Sequence, residues 1–352
     1  MRRSRALLKS QIAIIVGLIV ISVTAGSPIF AGTAAQSAHR LDDVHIYFAE
    51  SNKEASPFDR GDTGLSRLGG LLQNLGAQLY SLDWRRDIPA DADLVVIAGP
   101  WKDLGPDQTA RLWAYLSNGG SLLLIVEPLV WGTTADGVPA LEMNNVLASD
   151  KGFFELTWSN YGIRARDDVV VTESGDAGAG LITDFTTTSV DASHPITAGL
   201  ENELGFFGSR SIEFDASVPT FHTTPLAFSG DKFYGESNYA DYLQNHTAEF
   251  NLGVDTPRGF QALAVAAEDP TTSARIVLIG DREFATNGGG LQSSPPSSAG
   301  FLYPGNVQFL LNSVAWLVGA DTSDMVELAL PTPGPTATAT PVVPAASTGN
   351  SG

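Results

Sequence analysis

The sequence predicts an α/β protein: a parallel, flavodoxin-like sheet flanked by helices, carrying a large mixed α+β insertion. Three observations predict it. Residues 93–99 (DLVVIAG), 121–126 (SLLLIV) and 275–281 (RIVLIGD) are continuous apolar runs of the kind buried on both faces of a sheet. Stretches with apolar residues at helical spacing separate or follow them. Strand and helix alternate at the interval of right-handed βαβ crossovers.

Taken in order, Val44 to Phe48 (VHIYF) is a first strand, and residues 50–62 are a polar loop. Leu65, Leu68, Leu71, Leu72 and Leu75 recur at helical spacing, with Gly76 as the stop. Residues 77–84 form a second strand and residues 93–99 a third. Pro106 opens a helix carrying Ala110, Trp113 and Leu116, which Gly119 and Gly120 end before the strand at 121–126. From about 131 to 270 the pattern loosens into an insertion or second lobe. It holds a helical stretch near Leu141 to Tyr161 and short strands at 168–172 and 260–267. The strand at 275–281 and a Gly/Ser/Pro loop at 287–300 lead to a closing helix. Pro304 starts that helix, Val307, Leu310, Leu311, Val314, Leu317 and Val318 give it an apolar stripe, and Gly319 ends it. The domain is expected to span 41–320, and the Pro- and Thr-rich residues 321–352 form a tail whose composition cannot bury a core.

The first forty residues read as an export segment. Arg2, Arg3, Arg5 and Lys9 precede the apolar run at 12–25 (IAIIVGLIVISVTA), so the cationic end is expected to stay cytoplasmic and the rest to cross the membrane. A retained single-pass anchor with an extracytoplasmic domain is the favoured reading, and secretion after cleavage near Ala31, Ala34 or Ala35 the other. The spacing after the paired arginines does not fit a twin-arginine signal.

The formal charge is −19, from 39 acidic and 20 basic residues. No acid precedes Asp42, whereas five basic residues do, so the body is more acidic still. Such a surface repels a phosphate backbone, which excludes nucleic acid as a partner. There is no cysteine, which removes disulfides, thiolate ligands and thiol nucleophiles. His39, His45, His194, His222 and His246 have no metal-ligand spacing, and His194 before Pro195 reads as a turn. The glycine-rich pieces at 175–180 and 288–290 lack a phosphate-loop lysine and a strand-to-helix context. Arg60-Gly61-Asp62 spells an adhesion tripeptide that recurs by chance, and Asn245-His246-Thr247 fits a glycosylation acceptor, of use only in a host that glycosylates exported chains. No cofactor is expected.

An open parallel sheet binds ligands beyond the carboxyl ends of its strands. Here that rim comprises Glu50, the 59–63 loop with Asp59 and Asp62, Gly99-Pro100-Trp101, Glu127-Pro128 and Asp281-Arg282-Glu283. If Glu50, Glu127 and Asp281 converge, they can hold a divalent cation or bind sugar hydroxyls, with Trp101 as a stacking face. The plainer reading is that these acids cap helices and bind loop amides while the prolines stop strands. The residues after the 121–126 run, Glu127-Pro128-Leu129, offer no thiol or hydroxyl, and no G-x-S-x-G occurs, so a hydrolase of the strand-end nucleophile type is not expected.

A series of blocks resembles the GldG-like auxiliary family of ABC-type transport systems. Residues 93–128 resemble its strand, Gly-Pro, helix, Gly-Gly, strand and acid-Pro succession. Tyr161-Gly162-Ile163 with Asp168-Val169-Val170, His194-Pro195-Ile196-Thr197, Thr223-Thr224-Pro225, Gly235-Glu236, residues 275–287 and residues 305–317 (GNVQFLLNSVAWL) follow in the family's order. The chain departs from the family pattern in having Glu127 where Asp is usual before the proline, and the Pro/Thr tail where a second span is common. The resemblance implies a class-I glutamine amidotransferase-like fold without that class's catalysis, tethered to a membrane beside the permease and ATPase subunits of a transporter. The expected role is therefore a non-enzymatic scaffold or ligand-binding component. The alternatives are an exported carbohydrate-binding or carbohydrate-processing module, suggested by the rim acids with Trp101, Trp131 and Tyr239, and a purely structural envelope protein.

Overall fold

The computed structural model describes residues 40–322 and 325, except 134–135, 138, 145–151, 174–179, 218–219, 246–249 and 294–299. The first half of the sheet follows the alternation of the sequence: β1 (His45–Phe48), α1 (Ser66–Asn74), β2 (Gln78–Ser81), β3 (Leu94–Ala98), α2 (Pro106–Ser117) and β4 (Ser121–Ile125). The middle of the chain supplies β5 (Leu129–Thr133), β6 (Pro139–Met143), α3 (Phe153–Tyr161), β7 (Ile163–Ala165), β8 (Val169–Glu173), β9 (Leu181–Ile182), β10 (Asp184–Thr187), β11 (Leu204–Phe207), β12 (Ile212–Phe214), β13 (His222–Phe228), β14 (Tyr234–Glu236), α4 (Tyr239–Asn245) and β15 (Ala262–Glu268). The chain closes with β16 (Arg275–Ile279), a 3-10 turn at Glu283–Ala285 and α5 (Pro304–Leu317).

The central sheet has seven strands in the order β13-β15-β16-β4-β3-β1-β2. β2, β1, β3, β4 and β16 are mutually parallel. Read in chain order these five run 2-1-3-4-5, the flavodoxin-like arrangement. β15 and β13 then add antiparallel pairings at one edge. The segment read as an insertion thus gives two strands to the main sheet itself, and its remaining strands form small two- and three-stranded sheets.

Alternate residues of a strand face opposite sides, and both sides are covered. Leu94, Val96, Leu123 and Val277 pack with Leu68 and Leu72 of α1 and with Val307, Leu310, Leu311 and Val314 of α5. Val95, Ile97, Leu122, Leu124 and Leu278 pack on the other side with Leu112 and Leu116 of α2 and Phe153 and Phe154 of α3. α2 starts at Pro106, its third residue Gln108 reaching back to accept from the Gly105 N–H at 2.9 Å, and ends at Gly119 with φ +87°.

Two expectations need correction. The helical stretch placed at 141–161 is a helix only from Phe153; Leu141 to Met143 belong to β6, paired antiparallel with β5. The apolar spacing there came from two elements of different period. The stripe on α5 is also too narrow a description, because every residue from Gly305 to Leu317 is buried. The polar positions between the stripe dock on the 196–206 segment. Asn306 accepts from Gly205 N–H at 2.7 Å and donates to Gly205 O at 2.9 Å, and Asn312 donates to Ile196 O at 2.9 Å. His194 serves the same turn: its Nδ1 accepts from Ile196 N–H at 3.2 Å and its ring meets Trp316 edge-on. Burial holds its pKa down at about 4.

Among the described residues no helix is long and apolar enough to cross a membrane. The apolar run at 12–25 and the Pro/Thr tail from 331 onward lie outside the described residues.

Candidate functional site

The parallel strands deliver Glu50, Gly99, Glu127 and Asp281 to one end of the sheet, one or two residues beyond β1, β3, β4 and β16. What happens to each there differs. Glu127 is 3% exposed and Asp281 fully buried. Both Asp281 oxygens are engaged, by the Phe207 N–H at 2.6 Å and the Phe284 N–H at 3.2 Å, so it ties β11 and the 3-10 turn to the end of β16. Glu127 receives a long bond from the Leu129 N–H at 3.4 Å, and its other oxygen stands 3.8 Å from Arg282 Nε, an ion pair beyond hydrogen-bond length. Burial pushes Glu127 up to about 8, against the pull of Arg282. Burial, then the neighbouring Glu127, pushes Asp281 well above the usual carboxylate range. Two carboxyls in one dry site cannot both ionise cheaply, so the pair gives up its protons less readily than exposed carboxyls do.

Arg282 reaches Glu127 by lying across Gly99. A Cβ on Gly99 would stand 2.0 Å from Arg282 Cδ, and the residue has φ +68°. Gly280 is crowded in the same way by Arg210 O, at 2.2 Å. The 208–211 segment therefore closes directly over the end of β16, its Arg210 N–H donating to Gly280 O at 2.7 Å.

Of the other rim residues, Glu283 acts on this pair through its charge. Glu50 accepts from Ser56 Oγ at 2.5 Å and Ser81 Oγ at 2.7 Å. Trp101 has its face covered by Lys53, whose ammonium lies 3.7 Å from the ring centroid. Asp59 caps its own loop, accepting from the Gly61 N–H at 2.8 Å. Asp62 and Glu283 do meet, with Thr63 and Thr286, around a hollow of about 180 Å³. Asn287 clasps the two loops that make it, donating to Gly61 O at 2.7 Å and Asp59 O at 3.1 Å. Burial raises the Glu283 carboxyl, opposed by Arg282.

Glu50 thus lies apart from Glu127 and Asp281, and the three are not brought together as one ligand set. Among the described residues no three acidic or histidine side chains stand together as a metal-binding group. The serines hold Glu50 at the β1–β2 edge, and backbone amides hold Asp281. Trp101, proposed as a sugar-stacking face, already carries a cation.

Sequence reasoning missed two features. One is Arg210, fully buried, donating to Asp167 at 2.8 Å, Arg166 O at 3.0 Å and Asn144 O at 2.6 Å. The other is an open cleft of about 1000 Å³ away from the rim, between β7, β12 and the loop before β15. A cluster of large apolar residues amid Gly, Asn, Asp and Pro at 250–260 was its only signal in the sequence.

A 2-1-3-4-5 sheet whose carboxyl end is closed by buried carboxylates, with an acid and a proline after β4, defines a flavodoxin-like α/β protein whose rim is stoppered. The family described as "ABC-type uncharacterized transport system" matches residues 44–313, and the chain belongs to it. It is thereby an auxiliary component of an ABC-type transport system. Solved structures of similar shape include the mmIFT52 N-terminal domain, 14% identical with a TM-score of 0.48, covering 78% of this chain and 97% of that one. A putative ThuA-like protein from Bacteroides uniformis is 10% identical with a TM-score of 0.42, covering 86% and 100%. An exo-beta-1,4-mannosidase from an Opitutaceae bacterium is 11% identical with a TM-score of 0.35, covering 78% of this chain and 35% of that one. No curated protein matches the chain.

Proposed function

We propose that the protein serves its transport system as a non-enzymatic scaffold or ligand-binding head, held outside the cytoplasm by a membrane anchor at residues 12–25. The observation that carries this reading is the state of the β4 end. The residue there is Glu127, 3% exposed and paired with Arg282 and Asp281, and Pro128 and Leu129 follow it. A strand-end nucleophile needs an exposed hydroxyl or thiol beside a base, and this position holds a sequestered acid. The tether is supported by the basic residues ahead of an apolar run and by the acidic body behind it.

Two measurements test the reading. The chain has no cysteine, so Asp107→Cys on exposed α2 gives a unique label. A membrane-impermeant maleimide is expected to react with it in intact cells, and reaction only after lysis overturns the extracytoplasmic placement. Crosslinking in native membranes is expected to join the head to a permease subunit; recovery of the head alone, or turnover of a small metabolite by the purified chain, overturns the scaffold reading.

A further inference from the structure

The loop at 250–261 presents large apolar side chains to solvent in a way few other positions do. Leu252 is 87% exposed, Val254 61% and Phe260 61%. Such exposure in a slack loop carries little meaning, but this loop is pinned. Asp255, only 5% exposed, turns inward and accepts from the Ser237 N–H at 3.0 Å and the Asn251 N–H at 2.6 Å. Thr256 N–H donates to Gly235 O at 3.2 Å, Gly259 N–H to Phe233 O at 2.8 Å, and Gln261 Nε2 to Pro257 O at 2.9 Å. A backbone held at both ends while its apolar side chains point outward is preorganised for contact, so little ordering entropy is lost on binding.

The same three residues form one wall of the 1000 Å³ cleft, which also takes in the buried or half-buried rings of Phe154, Phe214 and Phe228. Charged residues line it as well, and they are unequally engaged. Arg164 and Arg166 both bind Glu213, at 2.7 and 3.2 Å, and Arg164 also lies over Trp158. Asp167 is 67% exposed, its partner Arg210 wholly buried behind it, and Glu155 is 40% exposed with only a 3.5 Å contact to Arg164. The cleft therefore combines exposed apolar residues with a lining in which Glu155, Asp167, Asp168, Glu213 and Asp255 outnumber Arg164 and Arg166, on a protein of charge −19.

We infer that this cleft is the docking surface for an apolar segment bearing lysine or arginine, contributed by a partner protein. Charge selects that occupant. A second copy brings the same −19, and an anionic lipid surface is repelled for the same reason. A cationic amphipathic segment matches both features. The inference rests on the scaffold reading above and names the kind of partner the head takes.

The full-length chain is titrated with a fluorescent synthetic peptide of about 16 residues, built of Leu and Lys in amphipathic order, and with its Leu/Glu counterpart. The Leu/Lys peptide is expected to bind, and to bind about tenfold more weakly to L252S/V254S/F260S and to E155Q/D167N. Phe58→Ser, which alters an exposed ring elsewhere, is expected to leave binding unchanged. Equal binding to the wild type and the serine variant, or equal binding of the Leu/Glu peptide, overturns the inference. Self-association in sedimentation that the serine variant abolishes assigns the cleft to a second copy and also overturns it. So does a loss, in that variant, of binding to phosphatidylserine vesicles. A serine variant that still crosslinks fully to the permease refutes this cleft as the docking site while leaving the scaffold reading intact.

Discussion

The rim of the parallel sheet and the cleft beside β7 and β12 divide the chemistry of the molecule between them. The rim has the reactive residue types, yet Glu127 and Asp281 are buried and tied to backbone and Arg282, and Glu50 is held by two serines. The cleft has carboxylates too, but leaves Glu155 and Asp167 accessible beside the exposed Leu252, Val254 and Phe260. Position at a strand end is therefore a weak guide to function unless the group is also reachable. In this fold the ligand crevice expected of an open α/β sheet is stoppered, and binding surface has moved to elements added after β4.

The most severe test of that contrast is Gly99→Ala. The added Cβ meets the Arg282 side chain and demands a left-handed backbone of a β-carbon residue, which together cost about 3 kcal/mol. Chemical denaturation should show the loss, with binding at the cleft unchanged in whatever remains folded. A near-neutral result would mean that Arg282 moves aside easily and that the rim is less closed than its packing indicates.

Asn306→Ala comes next. The Asn306 amide both donates to and accepts from Gly205 and also donates to Phe284 O at 3.1 Å, all in the dry interface under α5. Leaving those backbone groups unsatisfied costs about 2 kcal/mol, visible as a lower denaturation midpoint. Asn306→Asp keeps the acceptor and loses the donor, and should fall at least as far at neutral pH because it buries a charge.

These two positions also show where the sequence stops being informative. β3, β4 and β16 are legible because continuous apolar runs of four or five residues between turn signals have few other uses, and their order yields the flavodoxin-like sheet directly. The landing places of Glu50, Gly99, Glu127 and Asp281 follow from that. Their fates do not, because burial at the rim is decided largely by Phe207 and Arg210, which come from elsewhere in the chain. Likewise Asn306 and Asn312 read as the outer face of an amphipathic helix until β11 and the turn at Ile196, a hundred residues earlier, cover them. Arg210 is the extreme case, since its partners Asn144, Arg166 and Asp167 are brought to it only by tertiary folding.

A smaller effect with a distinctive pH signature comes from Glu127→Gln. The folded carboxyl titrates at about 8 against an ordinary 4.5. Its contribution to stability is thus fully present below pH 4.5 and is lost as pH rises through 8, where ionisation forces a charge into the buried site. Glutamine stays neutral throughout. The variant should match the wild type near pH 4.5 and exceed it progressively as pH rises towards 8, by a few kcal/mol at most and with a correspondingly higher Tm. A loss confined to neutral and alkaline pH would mean instead that the Arg282 ion pair outweighs desolvation.

The smallest expected change in stability is the one that bears most on function. Leu252→Ser with Phe260→Ser removes apolar surface that is already in water, so denaturation midpoints should shift by no more than about 0.5 kcal/mol. If the pair destabilises by ~2 kcal/mol or more, those side chains pack in the folded protein and the exposed wall of the cleft is not one. If stability holds while crosslinking to the transporter falls, the two regions separate cleanly: a rim that maintains the fold, and a pinned apolar loop that does the binding.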